Sequence, residues 1–464
     1  MALGVGAIIG TGIFATIGTA SAGDASRPGA GPALMVSFVL TAIVCAFTAV
    51  CYAEFAAMVP VAGSAYTYAY ATLGEVVAWI IGWDLLLEYA IGNTAVAISW
   101  AGYADTLLRG IGINLPRWLV IDYRTAAATP GLLAHAPHVF GVPIVFNALA
   151  AGIVALVTIV LVWGVKESAR LGAVMVAVKI AALAFFVLVC ARFVRPENWH
   201  PFAPNGVAGI GAGAAVVFFA YIGFDAVSTC AEECKNPGRD MPIGILGSLV
   251  ICTIVYVIVA AVFAGLVPYP ALVHMGPSRR AEALAVAMEY VAMPGWAVGV
   301  VALGAVVAQT AVLLVFQLGQ PRILMAMARD GLLPPLFARV HPSFKTPHVA
   351  TILTGVLVGV VSAFANIDEM VDLTNIGTLF AFILVCAGII VLRVREPGRH
   401  RPFRVPFGPV IVPSLGIASC LLLVAYLPPA SWLRFVGWLA GGLVIYATYG
   451  RGHSRLSEAA QGRR

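Results

Sequence analysis

The chain has 464 residues, of which 61% are hydrophobic and only 10% charged, with a mean hydropathy of +0.97 and a net charge of +6 at pH 7. Soluble domains carry charge on roughly a quarter of their residues, so lipid rather than water surrounds most of this surface. The basic residues are scattered through short loops instead of gathered on one face, which excludes a nucleic-acid-binding protein.

Apolar runs of about 20 residues recur along the chain, each long enough for a helical crossing. Only helices or closed barrels satisfy their backbone groups in hydrocarbon, and barrel strands would be about ten residues long and alternating. The pattern therefore predicts an all-α integral membrane protein with about twelve transmembrane helices. Their limits fall near 2–21, 32–58, 75–104, 143–164, 171–194, 208–230, 243–267, 295–320, 348–365, 373–393, 407–427 and 432–449.

The first span contains Gly6-Ala7-Ile8-Ile9-Gly10-Thr11-Gly12-Ile13-Phe14. Glycine tolerates backbone angles that other residues do not, so the helix can open at Gly10-Thr11-Gly12. The second half would then present free N–H groups and the positive end of a helix dipole to an anion such as a carboxylate. The carbonyls ending the first half would accept from an ammonium group. Close helix packing through small residues is the other use of such a run. No positive segment precedes the first span, so a cleavable signal peptide is not expected.

Glu54 lies near the expected cytoplasmic end of the second span, and the third span carries Glu88 within an apolar run, with Asp84 one turn earlier as its rival. Both acids are open to structural pairing or to proton handling. The longest connection, 109–143, holds Pro116, Pro130 and Pro137. In the fifth span Lys179 lies near the middle of the run 171–194. A charged amine at that depth costs several kcal/mol unless something holds it. Two placements are open: snorkelling to the cytoplasmic surface, or pointing inward, where a fixed ammonium replaces a bound cation and acts as a switch.

The sixth span carries a second break, Phe218-Phe219-Ala220-Tyr221-Ile222-Gly223-Phe224-Asp225-Ala226. Phe219 and Tyr221 can wall and cover a solute, while Asp225 is open to capping the broken helix or to meeting substrate or a proton. Glu232, Glu233, Lys235, Arg239 and Asp240 follow near the expected cytoplasmic end. Together with Glu54 they suit either an inner gate or ordinary interfacial charge. A short helix is expected over 281–291, before the eighth span.

Breaks five spans apart suggest two five-span units of opposite orientation, with the solute held near the midplane where the broken helices meet. Residues 1–200 would form the first unit, 201–398 the second, 399–450 two added spans, and 451–464 a cytoplasmic tail. A cytoplasmic N-terminus puts 17 basic residues inside and nine outside, which favours both termini in the cytoplasm of a multi-pass inner (plasma) membrane protein. The eight cysteines fall in or beside apolar spans and read as small buried residues, and the eight histidines fall in loops or at span ends. No catalytic residue, metal site, cofactor or nucleic-acid partner is expected. An intramembrane enzyme would need a Ser–His pair, paired aspartates or HExxH, and HExxH is absent. A channel would need a continuous polar path, whereas the polar groups here cluster at one depth. A transport-dead sensor is separated from a carrier by an uptake measurement.

The segment 6–14 resembles the first-span signature of the amino acid–polyamine–organocation superfamily. Phe219–Asp225 with Ala231-Glu232-Glu233-Cys234-Lys235-Asn236-Pro237 resembles the sixth span and following loop of the cationic amino acid transporter family. So do Pro60-Val61-Ala62-Gly63-Ser64-Ala65-Tyr66-Thr67-Tyr68 after the second span and Pro321–Gly331 after the eighth. The resemblance covers nearly the whole chain. It implies a five-plus-five inverted repeat with discontinuous first and sixth helices and two further C-terminal helices. It implies that Ile9, Gly10, Thr11 and Gly12 hold the backbone of an amino acid together with Phe219, Ala220 and Ile222. Lys179 would occupy the place of sodium in sodium-coupled relatives, and Glu88 would match an acid implicated in proton handling, so proton-coupled symport or sodium-independent exchange is expected. Tyr221, Asp225, Glu232 and Glu233 are the gating candidates. The expected partners are an amino acid, protons and the bilayer; amino acid/polyamine antiport and a small single-span subunit stay open. Members usually carry a cytoplasmic segment ahead of the first span, which residue 1 nearly abuts here, so a misassigned start or a shortened gate is expected. Bacterial members often take neutral amino acids, which leaves the solute's side chain open.

Overall fold

The computed structural model describes residues 1–58, 66, 69–70, 73–164, 169–225 and 236–454. Each of the twelve expected spans is occupied by helix. In chain order these are α1 (Ala2–Ile8) with α2 (Ile17–Ala22), α3 (Leu34–Met58), α4 (Glu75–Gly110), α5 (Ala148–Trp163), α6 (Ala169–Cys190) and α7 (Gly206–Val217). They continue as α8 (Pro237–Leu266), a short α9 (Ala283–Tyr290), α10 (Gly295–Arg329), α11 (His348–Phe364), α12 (Ile367–Arg395), α13 (Ile411–Ala425) and α14 (Pro429–Ile445). Six stretches are long and apolar enough to cross a bilayer: Gly31–Met58, Gly172–Phe193, Gly238–Leu266, Gly295–Arg329, Ile367–Arg395 and Pro429–His453. Two two-residue hairpins, Gly23–Asp24 with Arg27–Pro28 and His138–Val139 with Val142–Pro143, are the strands among the described residues.

Several helices outrun their apolar limits. Helix α4 is 36 residues long, about 54 Å at 1.5 Å per residue, so it projects well beyond a hydrocarbon core of about 30 Å. Hydropathy reports the part of a helix that lies in lipid and is blind to the polar turns that continue it. Helix α10 likewise passes through Pro321, which is buried inside the helix, and ends at Arg329.

One core runs through the bundle and sorts the helices into inner and outer sets. The long α4 packs against α10 and α12, α3 against α8, and α5 against α11. The outward faces of α5, α11, α13 and α14 keep exposed Leu156, Ile159, Leu353, Leu357, Leu421, Leu422, Leu433 and Val436, as a lipid-facing surface does. The last span is fastened to the third by aromatic stacking. The Trp83 and Trp438 rings lie 4.5 Å apart and nearly parallel, and each indole N–H donates to the other residue's carbonyl, at 2.9 and 3.1 Å.

Charged side chains buried at the helix ends are tied in clusters. Glu54, fully buried at the end of α3, accepts from Arg393 Nε and Nη2 (2.8 and 2.5 Å) and from the Val405 N–H (2.7 Å). Arg401 Nε lies 3.3 Å from the same carboxylate, and Arg401 also donates to the carbonyls of Glu396 and Arg399 that close α12. Substituting Gln for Arg393 leaves the buried carboxylate with Arg401 and the Val405 N–H and is expected to cost about 1.5–3 kcal/mol, read as a drop in the melting temperature of the detergent-solubilised protein. At the other end Arg27 pairs with Asp372 (2.6 Å) and Asp24 (2.9 Å). Burial works to raise the Asp24 carboxyl, but Arg27 and the Ser26 hydrogen bonds outweigh it and hold the group below the ordinary range.

Candidate functional site

The first span is broken at Ile9 and Gly10. Helix α1 stops at Ile8, Ile9 is extended (φ −72°, ψ 99°), and Thr11 is already helical, leading into a wide π-turn over Gly12–Thr16 and then α2. The N–H groups opening this second half have no intrahelical acceptor. Thr11 Oγ1 is buried beside them with no hydrogen-bond partner among the described residues.

The second break follows α7. The chain tightens into a 3-10 turn over Phe218–Tyr221, Ile222 turns extended (φ −59°, ψ 133°), and Gly223 takes φ 114°. Only glycine adopts that angle without strain. The Gly223 N–H donates to Asp225 Oδ1 at 3.2 Å, a bond that spans the extended turn. Residues 226–235 lie outside the described residues. The gating candidates Glu232 and Glu233, together with Lys235, fall there, and most of the 60–68 motif is outside as well.

The two breaks touch backbone to backbone. A Cβ on Gly12 would overlap the main chain of Ala220, and one on Gly223 would meet the Ala7 carbonyl oxygen at 2.8 Å. The Tyr256 hydroxyl from α8 bridges them, lying 2.9 Å from the carbonyl oxygens of both Ile8 and Ala220. Tyr256 is absent from the sequence-based set; the seventh span also carries Ser248 and Thr253, and nothing local sets the tyrosine hydroxyl apart from theirs. Removing that oxygen with Tyr256→Phe is expected to cost about 1–1.5 kcal/mol, or roughly ten-fold in uptake, with little change in the melting temperature.

Of the two placements open to it, Lys179 takes the inward one. Its side chain is 0% exposed, and Nζ donates to the carbonyls of Gly6 (2.7 Å) and Ile9 (2.9 Å). The ammonium therefore occupies the C-terminal end of α1, where a helix dipole favours a cation. Three of the carbonyls ending the first half already have partners in the fold. Those of Gly6 and Ile9 serve Lys179, and that of Ile8 serves Tyr256.

Around this core stands a wall of rings. Tyr221 is fully buried and donates to the Phe38 carbonyl at 2.9 Å, stacking edge-on to Phe38 and Tyr256. Phe224, Tyr52 and Phe382 pack on the far side. Tyr103 donates to the Phe14 carbonyl at 2.6 Å and steadies the second half of the first span. Glu88 is buried on α4 beside Thr378 of α12, with Asp225 as a charged neighbour. Asp84 is equally buried and has no hydrogen-bond partner among the described residues. Of the other charges near the helix ends, Glu54 sits in the cluster described above, and Asp240 accepts from the Asn236 N–H that opens α8.

The amino acid permease family model matches residues 1–444. The chain is 44% identical to a methylthioribose transporter of Bacillus subtilis over 98% of its own length and 93% of the relative's. It is also 44% identical to a branched-chain amino acid permease of Bacillus subtilis, over 98% of its length and 92% of the relative's. To the vacuolar cationic amino acid transporter 4 of Arabidopsis thaliana it is 40% identical, over 86% of this chain and 62% of that one.

Proposed function

The chain belongs to the amino acid permease family, and on that premise we propose how it works. It is a multi-pass membrane protein and a secondary transporter of amino acids rather than an enzyme. In our reading the solute carboxylate lies on the N–H groups and the Thr11 hydroxyl at the start of the second half of the first span. Gly10, Thr11 and Gly12 form one side of the site with Ile9, and Phe219, Ala220 and Ile222 form the other. The observation that carries this is the backbone contact between the two broken helices, with one unpartnered buried hydroxyl aimed into it.

Lys179 acts as a built-in cation holding the end of α1, so that no sodium ion is needed. Protons drive accumulation, with Glu88 taking up and releasing the proton. Alternating access follows from two inverted five-span units, 1–200 and 201–398, rocking about the site, with Tyr221 and Asp225 among the gating groups. The protein lies in the plasma membrane with both termini cytoplasmic, as the distribution of Lys and Arg favours.

The equal identity to transporters named for methylthioribose and for branched-chain amino acids makes the solute's side chain the quantity to measure. A thermal-shift screen across the twenty amino acids, polyamines and methylthioribose at two pH values, followed by uptake of the hits into proteoliposomes, tests the reading. Stabilisation by an amino acid, with uptake driven by a pH gradient and indifferent to sodium, is the expected result. Stabilisation by methylthioribose alone overturns the carboxylate site, and sodium-driven uptake overturns the coupling.

A further inference from the structure

Two acids stand one turn apart on the same face of α4. Glu88 faces Thr378 of α12. Asp84 faces the residue before it, since a Cβ on Gly377 would lie 3.1 Å from Asp84 Oδ1. Asp84 is 0% exposed, and neither of its carboxyl oxygens has a hydrogen-bond partner among the described residues. An ionisable group in a membrane span is expensive to keep, and a buried polar atom without a partner calls for an explanation. Asp84 braces nothing, so packing does not explain it.

Its surroundings define a direction. The titratable neighbours of Glu88 are Asp225, Asp84, Tyr52 and Tyr89. Polar groups brought to this stretch by the packed helices include Thr378 of α12 and Gln320 of α10, neither of which titrates. Gln320 donates to the Leu86 carbonyl at 3.2 Å. Gly388 lies three turns beyond Gly377, on the same face of α12, and Leu73 and Phe55 close over it, at 2.9 and 3.3 Å from where its Cβ would be. Asp84 thus lies between the acid at the site, Glu88, and the apolar pair Leu73 and Phe55 at the end of the bundle that carries Glu54.

We propose that Asp84 is a second proton-carrying carboxylate of the transport cycle, relaying the proton between Glu88 and the cytoplasmic water behind the seal formed by Leu73 and Phe55. The step is a proton hop. The O–H bond of the Glu88 carboxyl breaks as one forms on Asp84, directly or through one water. The Asp84 O–H then breaks as the proton passes to water admitted when the seal opens, and no other bond changes. This assignment rests on the proton coupling proposed above.

Asp84→Asn keeps the volume and removes no hydrogen bond, so the variant is expected to fold and to bind solute. In proteoliposomes it should keep solute counterflow, which needs no net proton movement, within about two-fold of wild type, while accumulation driven by a pH gradient falls by about ten-fold or more. Asp84→Glu should restore part of that accumulation. Leu73→Ser opens the seal without touching either acid and should admit protons without solute, a leak that adding Asp84→Asn suppresses. Gradient-driven accumulation at the wild-type level in Asp84→Asn, or a Leu73→Ser leak unchanged by it, overturns the relay. Wild-type uptake indifferent to the pH gradient removes the coupling and the relay together, and it is recognisable because it appears in the unsubstituted protein.

Discussion

Lys179→Ala is expected to lower uptake by about a hundred-fold or more while leaving the protein inserted and folded in the membrane. The amine makes two bonds to main-chain carbonyls, at 2.7 and 2.9 Å. Hydrogen bonds from a charged donor contribute about 1.5–3 kcal/mol each, and every 1.4 kcal/mol is a factor of ten. Losing both strands two buried acceptors at the point where α1 must end. Uptake into proteoliposomes, with size-exclusion elution as the check on folding, measures the effect. Lys179→Gln keeps a donor of nearly the same reach but no charge, so it separates hydrogen bonding from electrostatics. If it transports as poorly as the alanine variant, the charge is what matters. Wild-type uptake in Lys179→Ala would show the amine to be a packing device only.

The second large effect is expected at Gly12. Valine there drives its Cβ into the main chain of Ala220, and a backbone in contact with a second backbone has no rotamer to yield. Overpacking of this kind costs about 1–3 kcal/mol when side chains can move, and more when they cannot. Solute binding should disappear because the two breaks are forced apart. Gly10→Ala is the control: its Cβ would meet only the Val312 Cγ2 methyl, at 2.7 Å, which a small side-chain shift relieves, so a several-fold loss is expected instead. Isothermal titration or the ligand-induced shift in melting temperature reads both. Unaltered affinity in Gly12→Val would count against a carboxylate site at this break.

Much of this architecture is legible in the sequence, for definite physical reasons. The bilayer demands long apolar helices, so composition alone yields twelve spans. Glycines inside such helices have few uses, so Gly10, Gly12 and Gly223 point to the breaks. A lysine at mid-depth cannot be accidental, so Lys179 stands out. What stays hidden is pairing across the fold. Nothing local in the second span says that Glu54 will meet Arg393 and Arg401, more than 330 positions away. Arg27 reads as an ordinary loop charge until Asp372 is brought beside it. Tyr256 looks like one more aromatic in an apolar run. The break covers Ile9 as well as Gly10, with Lys179 and Tyr256 taking up the carbonyls that end α1, and only the fold brings those two side chains there.

The hydroxyl that joins the two half-helices has a property that neither break has alone. It owns a single hydrogen yet faces two acceptors at equal distance, so at any moment it bonds to one and merely leans on the other. Such a joint is a swivel. When the first span tilts relative to the sixth, rotation about one C–O bond transfers the hydrogen bond from Ile8 to Ala220 without either carbonyl being deserted for long. The hinge can therefore turn while staying dry.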